Sequence, residues 1–277
     1  LTAFATAANN GRVTPTLQLA TAIAVPSAIA WSTMAAGPAL AVSALVGASA
    51  MAWAGLQMVS VQSQWVVPTV FELPADARDL ALTFDDGPDP ATTPAVLELL
   101  AEHGARATFF MVGRRAEEHP ELVRRVHAAG HQIGSHSYAH GHGFHFLGAR
   151  AMAAEIERGI ASIAAITGER PRAFRPPVGL RVPTLRAALL RLPEPVTCYT
   201  WTERGLDTLG RPAAAIVARL EPHLRAGAIL TLHDGAGLGG TRDRSATVLA
   251  LRELLARMRT NRLQSRRLDR PHPDSVA

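Results

Sequence analysis

DLALTFDDGPDPATTPAVLELLAEHGARATFFMV, residues 79–112, is the stretch whose reading decides the fold. Residues 79–84 form a short apolar run that ends on Asp85-Asp86-Gly87-Pro88, a turn sequence. Thr93-Pro94 then opens a helical stretch that runs to His103. Its proline falls in the first turn, where a missing N–H leaves no hydrogen bond unmade. Residues 107–112, after Gly104, have the composition of a buried strand. A strand, a helix and a second strand in that order predict two parallel strands joined by a crossover. The same alternation continues outward from this unit. Helices are predicted over 120–129 (ended by Gly130), 149–167, 183–190, 212–224 and 245–259, and strands over 131–135, 172–175, 196–201 and 228–232. The fold class is therefore α/β with a parallel sheet, closed as a barrel or open as a doubly wound sheet.

The chain upstream has a different composition. No charged side chain occurs from Val13 to Phe71, and only Arg12 precedes that run. A bilayer span takes roughly 20 apolar residues, so residues 1–71 are long enough for a hydrophobic helical hairpin of two transmembrane helices, 16–36 and 38–60, separated at Gly37-Pro38. The alternatives are an alanine-rich soluble hairpin and a cleaved signal peptide, the latter disfavoured by a single arginine and an apolar stretch that runs far beyond it. Ala44, Ala48 and Ala52 recur at the spacing that lets two helices approach closely. Trp31, Trp53 and Trp65 lie near the proposed ends, where indole rings favour the membrane interface. With Arg12 as the single nearby cation, the positive-inside rule has too little to count, and orientation is left open. Residues 72–260 then make one catalytic-sized domain, and 261–277 an arginine-rich, solvated C-terminal tail.

Composition removes several functional classes. All 28 basic residues are arginine, which excludes a phosphate-loop lysine, a Schiff-base lysine and a lysine nucleophile. Cys198 is the single cysteine, so no intramolecular disulfide or cysteine-rich metal knuckle can form. The net charge of +5 is spread among acidic residues rather than gathered in a stripe, which speaks against nucleic acid as a partner.

Parallel α/β folds build their sites at the carboxyl ends of strands, and the unusual polar residues fall there. Asp85 and Asp86 close the first strand. His136 and His140 follow the third, four apart, a spacing that on a helical turn would bring both imidazoles to one ion. His142 and His145 lie nearby in a glycine-rich loop and are read as loop residues. Arg175 leads the rigid Arg175-Pro176-Pro177-Val178-Gly179 segment, Trp201 precedes Asp207, and His233-Asp234 ends the last strand. Each has an ordinary explanation alone, such as a turn aspartate, a surface ion pair or a core-edge histidine. Five such elements at successive strand ends are far more specific than any one of them. Two histidines and a carboxylate leave coordination positions open for water, as catalytic zinc requires.

Taken together, these segments resemble the five motifs of the polysaccharide deacetylases, carbohydrate esterase family 4, the nodulation-protein-B-like domain. The motifs are Thr83–Pro88, His136–His140, Arg175–Gly179, Trp201–Asp207 and Leu230–His233, in the family's order. The resemblance implies a distorted (β/α) barrel of about seven strands. It implies that Asp86, His136 and His140 hold a divalent metal, with zinc first and cobalt, nickel or manganese as alternatives. Asp85 would be the general base oriented by Arg175, and His233 the general acid tuned by Asp207. The Val178 backbone N–H would face the oxyanion. The implied activity is hydrolysis of N-acetyl groups from an amino-sugar glycan of the bacterial cell envelope, releasing acetate. The apolar N-terminal segment, read separately, would anchor the enzyme in the bacterial inner membrane, with the side of the catalytic domain left open.

Two positions depart from the family pattern. Val178 stands where an aromatic residue is usual, and Thr208 stands where tryptophan usually follows the aspartate. Both changes open the substrate groove and leave its glycan undefined. Two other readings follow: a deacylase of a lipid-linked amino sugar at the membrane surface, and a retired fold that binds glycan without turnover. The complete set of proposed ligands, base and acid argues against the retired fold.

Overall fold

The computed structural model describes residues 36–60, 63–74, 79–236 and 243–268. The chain divides into two units, Leu1–Ser60 and Val61–Ala277. In the first, helix α1 (Ala36–Val59) carries no charge. Its Leu40–Val59 portion is long and apolar enough to cross a membrane, and none of that portion is buried in the protein. The first of the two predicted spans lies outside the described residues.

In the second unit the elements run β1 (Ala81–Asp85), α2 (Thr93–Glu102), β2 (Ala107–Met111), α3 (Gly113–Glu118), α4 (Pro120–Ala128), β3 (Gln132–Ser135), α5 (Ala149–Thr167), β4 (Ala173–Phe174), α6 (Pro183–Leu189), β5 (Thr197–Cys198), β6 (Glu203–Arg204), α7 (Ala213–Leu220), β7 (Ile229–His233) and α8 (Ser245–Thr260). Among the described residues these strands make one seven-stranded sheet in the order β5-β4-β3-β2-β1-β7-β6, every pair parallel. The fold is the distorted (β/α) barrel.

The distortion has an identifiable origin. Residues 196–201, expected as one strand, are the start of a longer extended passage. Its beginning, β5, pairs with β4, and its continuation, β6, pairs with β7. One stretch of chain without a crossover helix thus serves both edges of the sheet. The segment before β1 fills in at the other end: Val70 bridges Tyr199, and Glu72 bridges Ala228.

Side-chain alternation assigns the two faces. Leu82 and Phe84 of β1, Phe109 of β2, and Leu230 and Leu232 of β7 point outward into the core under α2 and α8. There Phe84 and Phe109 stack with centroids 5.0 Å apart. Burying rings of this size contributes about 1.5–3 kcal/mol each. The alternate row faces the barrel interior: Ala81, Thr83 and Asp85 on β1, and Ile229, Thr231 and His233 on β7. Phe110, Tyr199, Trp201 and Leu268 share that interior with Ala81 and Ile229. The period of two therefore carries both Asp85 and His233 to the interior at the carboxyl end.

The domain is larger than its sequence boundaries suggested. Val67 and Val70 are buried, so residues before 72 belong to the core. Residues 263–268 are not a solvated tail. Leu80 pairs with Ser265, whose hydroxyl also accepts the Leu82 N–H, and the buried Leu268 presents its carbonyl to the Tyr199 hydroxyl. These apolar and hydroxyl contacts seal the amino-terminal end of the barrel.

Candidate active site

At the end of β1 the backbone changes course. Asp85 keeps strand geometry and points inward, whereas Asp86 adopts a left-handed φ of 73°. Aspartate tolerates that region better than most residues. The change redirects its carboxylate, so two adjacent aspartates serve one cleft rather than opposite faces of the sheet. Gly87 follows, with the buried Asp234 carboxylate packed so closely that a Cβ on Gly87 would lie 2.3 Å from Asp234 Oδ2. Glycine is required here for a close approach of side chain to backbone. Asp234 accepts a 2.6 Å hydrogen bond from Thr93, and burial is the main cause that pushes its carboxyl up to about 7. Arg115 of α3 braces the same turn, donating to the carbonyls of Asp86 and Ala236.

Asp85 is held by Arg175, which is fully buried. Arg175 Nη1 donates to Asp85 Oδ1 at 2.7 Å and to the Thr83 hydroxyl at 2.9 Å, and Nη2 donates to the Thr200 carbonyl at 2.7 Å. Its guanidinium carbon lies 4.1 Å from the centre of the Phe110 ring. Burial raises the Asp85 carboxyl above its ordinary value, and the charge of Arg175 pulls against that rise. The result is a positioned carboxylate that is more basic than a surface aspartate.

His136 and His140 converge, but not on a helical turn as their spacing suggested. The chain there is a loop, with Ser137 at φ 68° and His140 at φ 50°. The Ser137 hydroxyl accepts the His140 N–H and holds the bend. Nδ1 of His136 donates to the Arg175 carbonyl at 2.7 Å, so its Nε2 carries the lone pair. Burial, reinforced by His140, holds the His136 pKa well below the ordinary histidine value, so the ring is neutral. Asp86 Oδ1 lies 3.6 Å from His136 Nε2 and 3.2 Å from His140 Nε2, yet this buried oxygen has no hydrogen-bond partner among the described residues. Two lone-pair atoms facing each other in a buried position repel unless a cation sits between them. The ligand atoms of all three residues fall within 4.8 Å of one another. This donor set, two imidazole nitrogens and one carboxylate, fits a divalent metal. His142 and His145 take no part in the cluster.

Across the cleft, Asp207 gives one oxygen to His233 Nδ1 at 2.8 Å. Its other oxygen accepts the His233 backbone N–H at 2.9 Å and the Thr247 hydroxyl at 2.8 Å. Nε2 of His233 is thereby left to face the cleft. Burial lowers the His233 pKa, but the carboxylates of Asp207, Asp86 and Asp85 outweigh it and raise the value to about 9. The cleft is lined by Asp85, Asp86, His136, His140, Val178, Trp201, Arg204, Leu206, Thr208, Thr231 and His233. Val178 sits there with a φ of 50°, which is strained for a β-branched residue, and is 56% exposed. Gly179 beside it has φ 71°, and a Cβ there would stand 2.2 Å from the Trp201 ring.

The site therefore brings together all the sequence-predicted residues from five strand ends. It also contains two residues the sequence did not single out, Arg115 and Thr247, and two motif residues to which the sequence gave no role, Thr83 and Arg204. Arg115 and Thr247 come from helices and carry no motif. Thr83 opens the first motif, and the structure gives its hydroxyl a role as an acceptor for Arg175.

An all-parallel barrel with a buried Asp-His-His cluster at its carboxyl end has the architecture and donor set of metal-dependent hydrolases. The polysaccharide deacetylase family model matches residues 73–194. A peptidoglycan-N-acetylglucosamine deacetylase of Bacillus cereus is 32% identical over 197 residues, covering 68% of this chain and 85% of the relative. A chitooligosaccharide deacetylase of Sinorhizobium fredii is 34% identical over 165 residues, covering 57% of this chain and 73% of the relative. Among solved structures, a family 4 carbohydrate esterase from Streptomyces lividans in complex with acetate superposes with a TM-score of 0.63 at 30% identity, covering 74% of this chain and 98% of that one. The chain belongs to the polysaccharide deacetylase family, carbohydrate esterase family 4.

Proposed function

We propose that this chain is a metal-dependent N-deacetylase of an N-acetylated envelope glycan, of the peptidoglycan or chitooligosaccharide type, tethered to the membrane by its N-terminal apolar segment. The observation that carries this reading is the convergence on one cleft of the Asp86–His136–His140 cluster, the Asp85–Arg175 pair and the His233–Asp207 pair. Asp86, His136 and His140 would hold the ion, and their two nitrogens and one oxygen suit zinc best. When bound, a divalent metal polarises the acetyl carbonyl and makes water more acidic.

The chain's own residues supply the remaining steps. Asp85, fixed by Arg175 and made more basic by burial, takes the proton from the attacking water. The resulting tetrahedral adduct carries an oxyanion, toward which the Val178 backbone N–H is the proposed donor. His233, protonated through its coupling to Asp207, delivers a proton to the departing nitrogen. The C–N bond breaks, and acetate and a free amino sugar leave. No covalent enzyme intermediate is needed.

The exposed, uncharged α1 supports a membrane anchor, and with it a second reading in which the substrate is a lipid-linked amino sugar. Acetate release from chitooligosaccharide or peptidoglycan fragments, measured against release from a lipid-linked N-acetyl sugar in vesicles, separates the two.

A further inference from the structure

We propose that Arg204 is the specificity-determining residue of this cleft and binds an oxyanion, carboxylate or phosphate, that the substrate carries beside its N-acetyl sugar. The inference rests on the deacetylase reading and names a chemical class within it.

The argument begins with strand register. In β6, Glu203 lies opposite Leu230 of β7, and Arg204 lies opposite Thr231. Leu230 faces the helices and Thr231 faces the barrel interior, so alternation sends Glu203 outward and Arg204 inward. The contacts agree. Glu203 meets Arg219 of α7 at 2.7 Å, whereas Arg204 lines the catalytic cleft with His233 and Asp86.

The guanidinium of Arg204 is exposed, and its carbon lies 5.4 Å from the centre of the Trp201 ring. It makes no ion pair and donates no side-chain hydrogen bond among the described residues. Arg170, Arg219, Arg225 and Arg257 differ in this respect, since each meets a glutamate carboxylate. An arginine resting on an aromatic ring keeps its in-plane N–H groups available, and that fork matches carboxylate and phosphate oxygens. A neutral glycan offers hydroxyl and carbonyl oxygens that accept single hydrogen bonds, but no anion to match the charged fork. A carboxylate ether on a neighbouring sugar, or a phosphate at the reducing end, would supply one.

The test uses the full chain with zinc and four substrates: a neutral chitooligosaccharide, an N-acetylmuramic-acid-containing oligosaccharide, the methyl ester of the latter, and an oligosaccharide 1-phosphate. Acetate release and equilibrium binding, followed by tryptophan fluorescence, are measured for the wild type, Arg204→Gln and Arg204→Glu. The wild type is expected to favour the free acid or the phosphate over the matched neutral compound by about tenfold, the worth of one charge-assisted contact, and to do so mainly through KM. Arg204→Gln should bring that ratio to about one, and Arg204→Glu should invert it. The larger of the carboxylate and phosphate preferences identifies the source of the anion. An unchanged ratio in both variants overturns the proposal. If the wild type releases no acetate but the binding preference is present and vanishes in Arg204→Gln, anion recognition stands and the deacetylase reading falls.

Discussion

Asp85 and His233 occupy paired positions in the register of two adjacent parallel strands, at the carboxyl end of each. Neither depends on a loop for its placement. Each also has its own partner: Arg175 holds Asp85 at 2.7 Å, and Asp207 holds His233 at 2.8 Å. The two environments suit the two roles, since burial raises the Asp85 carboxyl above its ordinary value against the pull of the Arg175 guanidinium and so makes it a stronger base, while His233, raised to about 9, keeps a proton against a carboxylate.

The roles proposed for this pair differ from those of the metal cluster. Asp85→Asn should lower kcat by about 10²–10⁴, the range of general-base catalysis, while one equivalent of zinc stays bound. His136→Ala should lose metal and activity together. Metal content by atomic absorption beside turnover separates the cases, and a fully active Asp85→Asn enzyme would remove Asp85 from the mechanism.

The His233–Asp207 contact predicts a pH dependence. An acid must be protonated to act, and His233 is raised to about 9, so activity should persist at neutral pH and fall as pH rises through that value. Asp207 is the first of the causes that raise it. Asp207→Asn should therefore shift the alkaline limb of kcat/KM to lower pH. A limb in the same place in both proteins would mean that a different group sets it.

His131 gives a stability prediction remote from the cleft. It is buried, its Nδ1 accepts the Ala107 N–H, and burial lowers its pKa to about 4. In the unfolded chain it titrates at its ordinary value near 6.5. Between those values the unfolded state binds more protons, so stability is complete above pH 6.5 and is lost as pH falls toward 4. His131→Asn, which keeps an acceptor and cannot charge, should show a shallower decline of the urea midpoint across that window. Parallel curves for the two proteins would contradict this.

Gly179 tests the wall of the cleft. Its φ of 71° and the 2.2 Å approach of a Cβ to the Trp201 ring make alanine doubly unfavourable. Gly179→Ala should destabilise by about 1–3 kcal/mol and change the tryptophan emission. Urea titration followed by fluorescence measures both, and an unshifted midpoint would show that the Trp201 ring relocates without cost.

Most of the barrel was legible because its strong signals are local. The apolar run ending at Asp85 and the proline-led helix at Pro94 each declare their structure within a few residues. The 197–204 passage was not, because two-residue pairings with different partners leave no period to detect. The site was legible as residue types at strand ends, but its geometry was not. His136 and His140 meet through a loop with two left-handed residues rather than on a helix. Arg115 and Thr247 act from helices whose composition marks nothing. At the C-terminus, closely spaced arginines masked Ser265 and Leu268, which are the residues that dock.

The most direct test of the account is acetate release by the full chain from chitooligosaccharides and peptidoglycan fragments, first after chelation and then after one equivalent of zinc is restored. The account predicts that release is lost with the metal and returns with it. Release that survives complete chelation, or no release from any N-acetylated glycan while zinc is stoichiometrically bound, would contradict it.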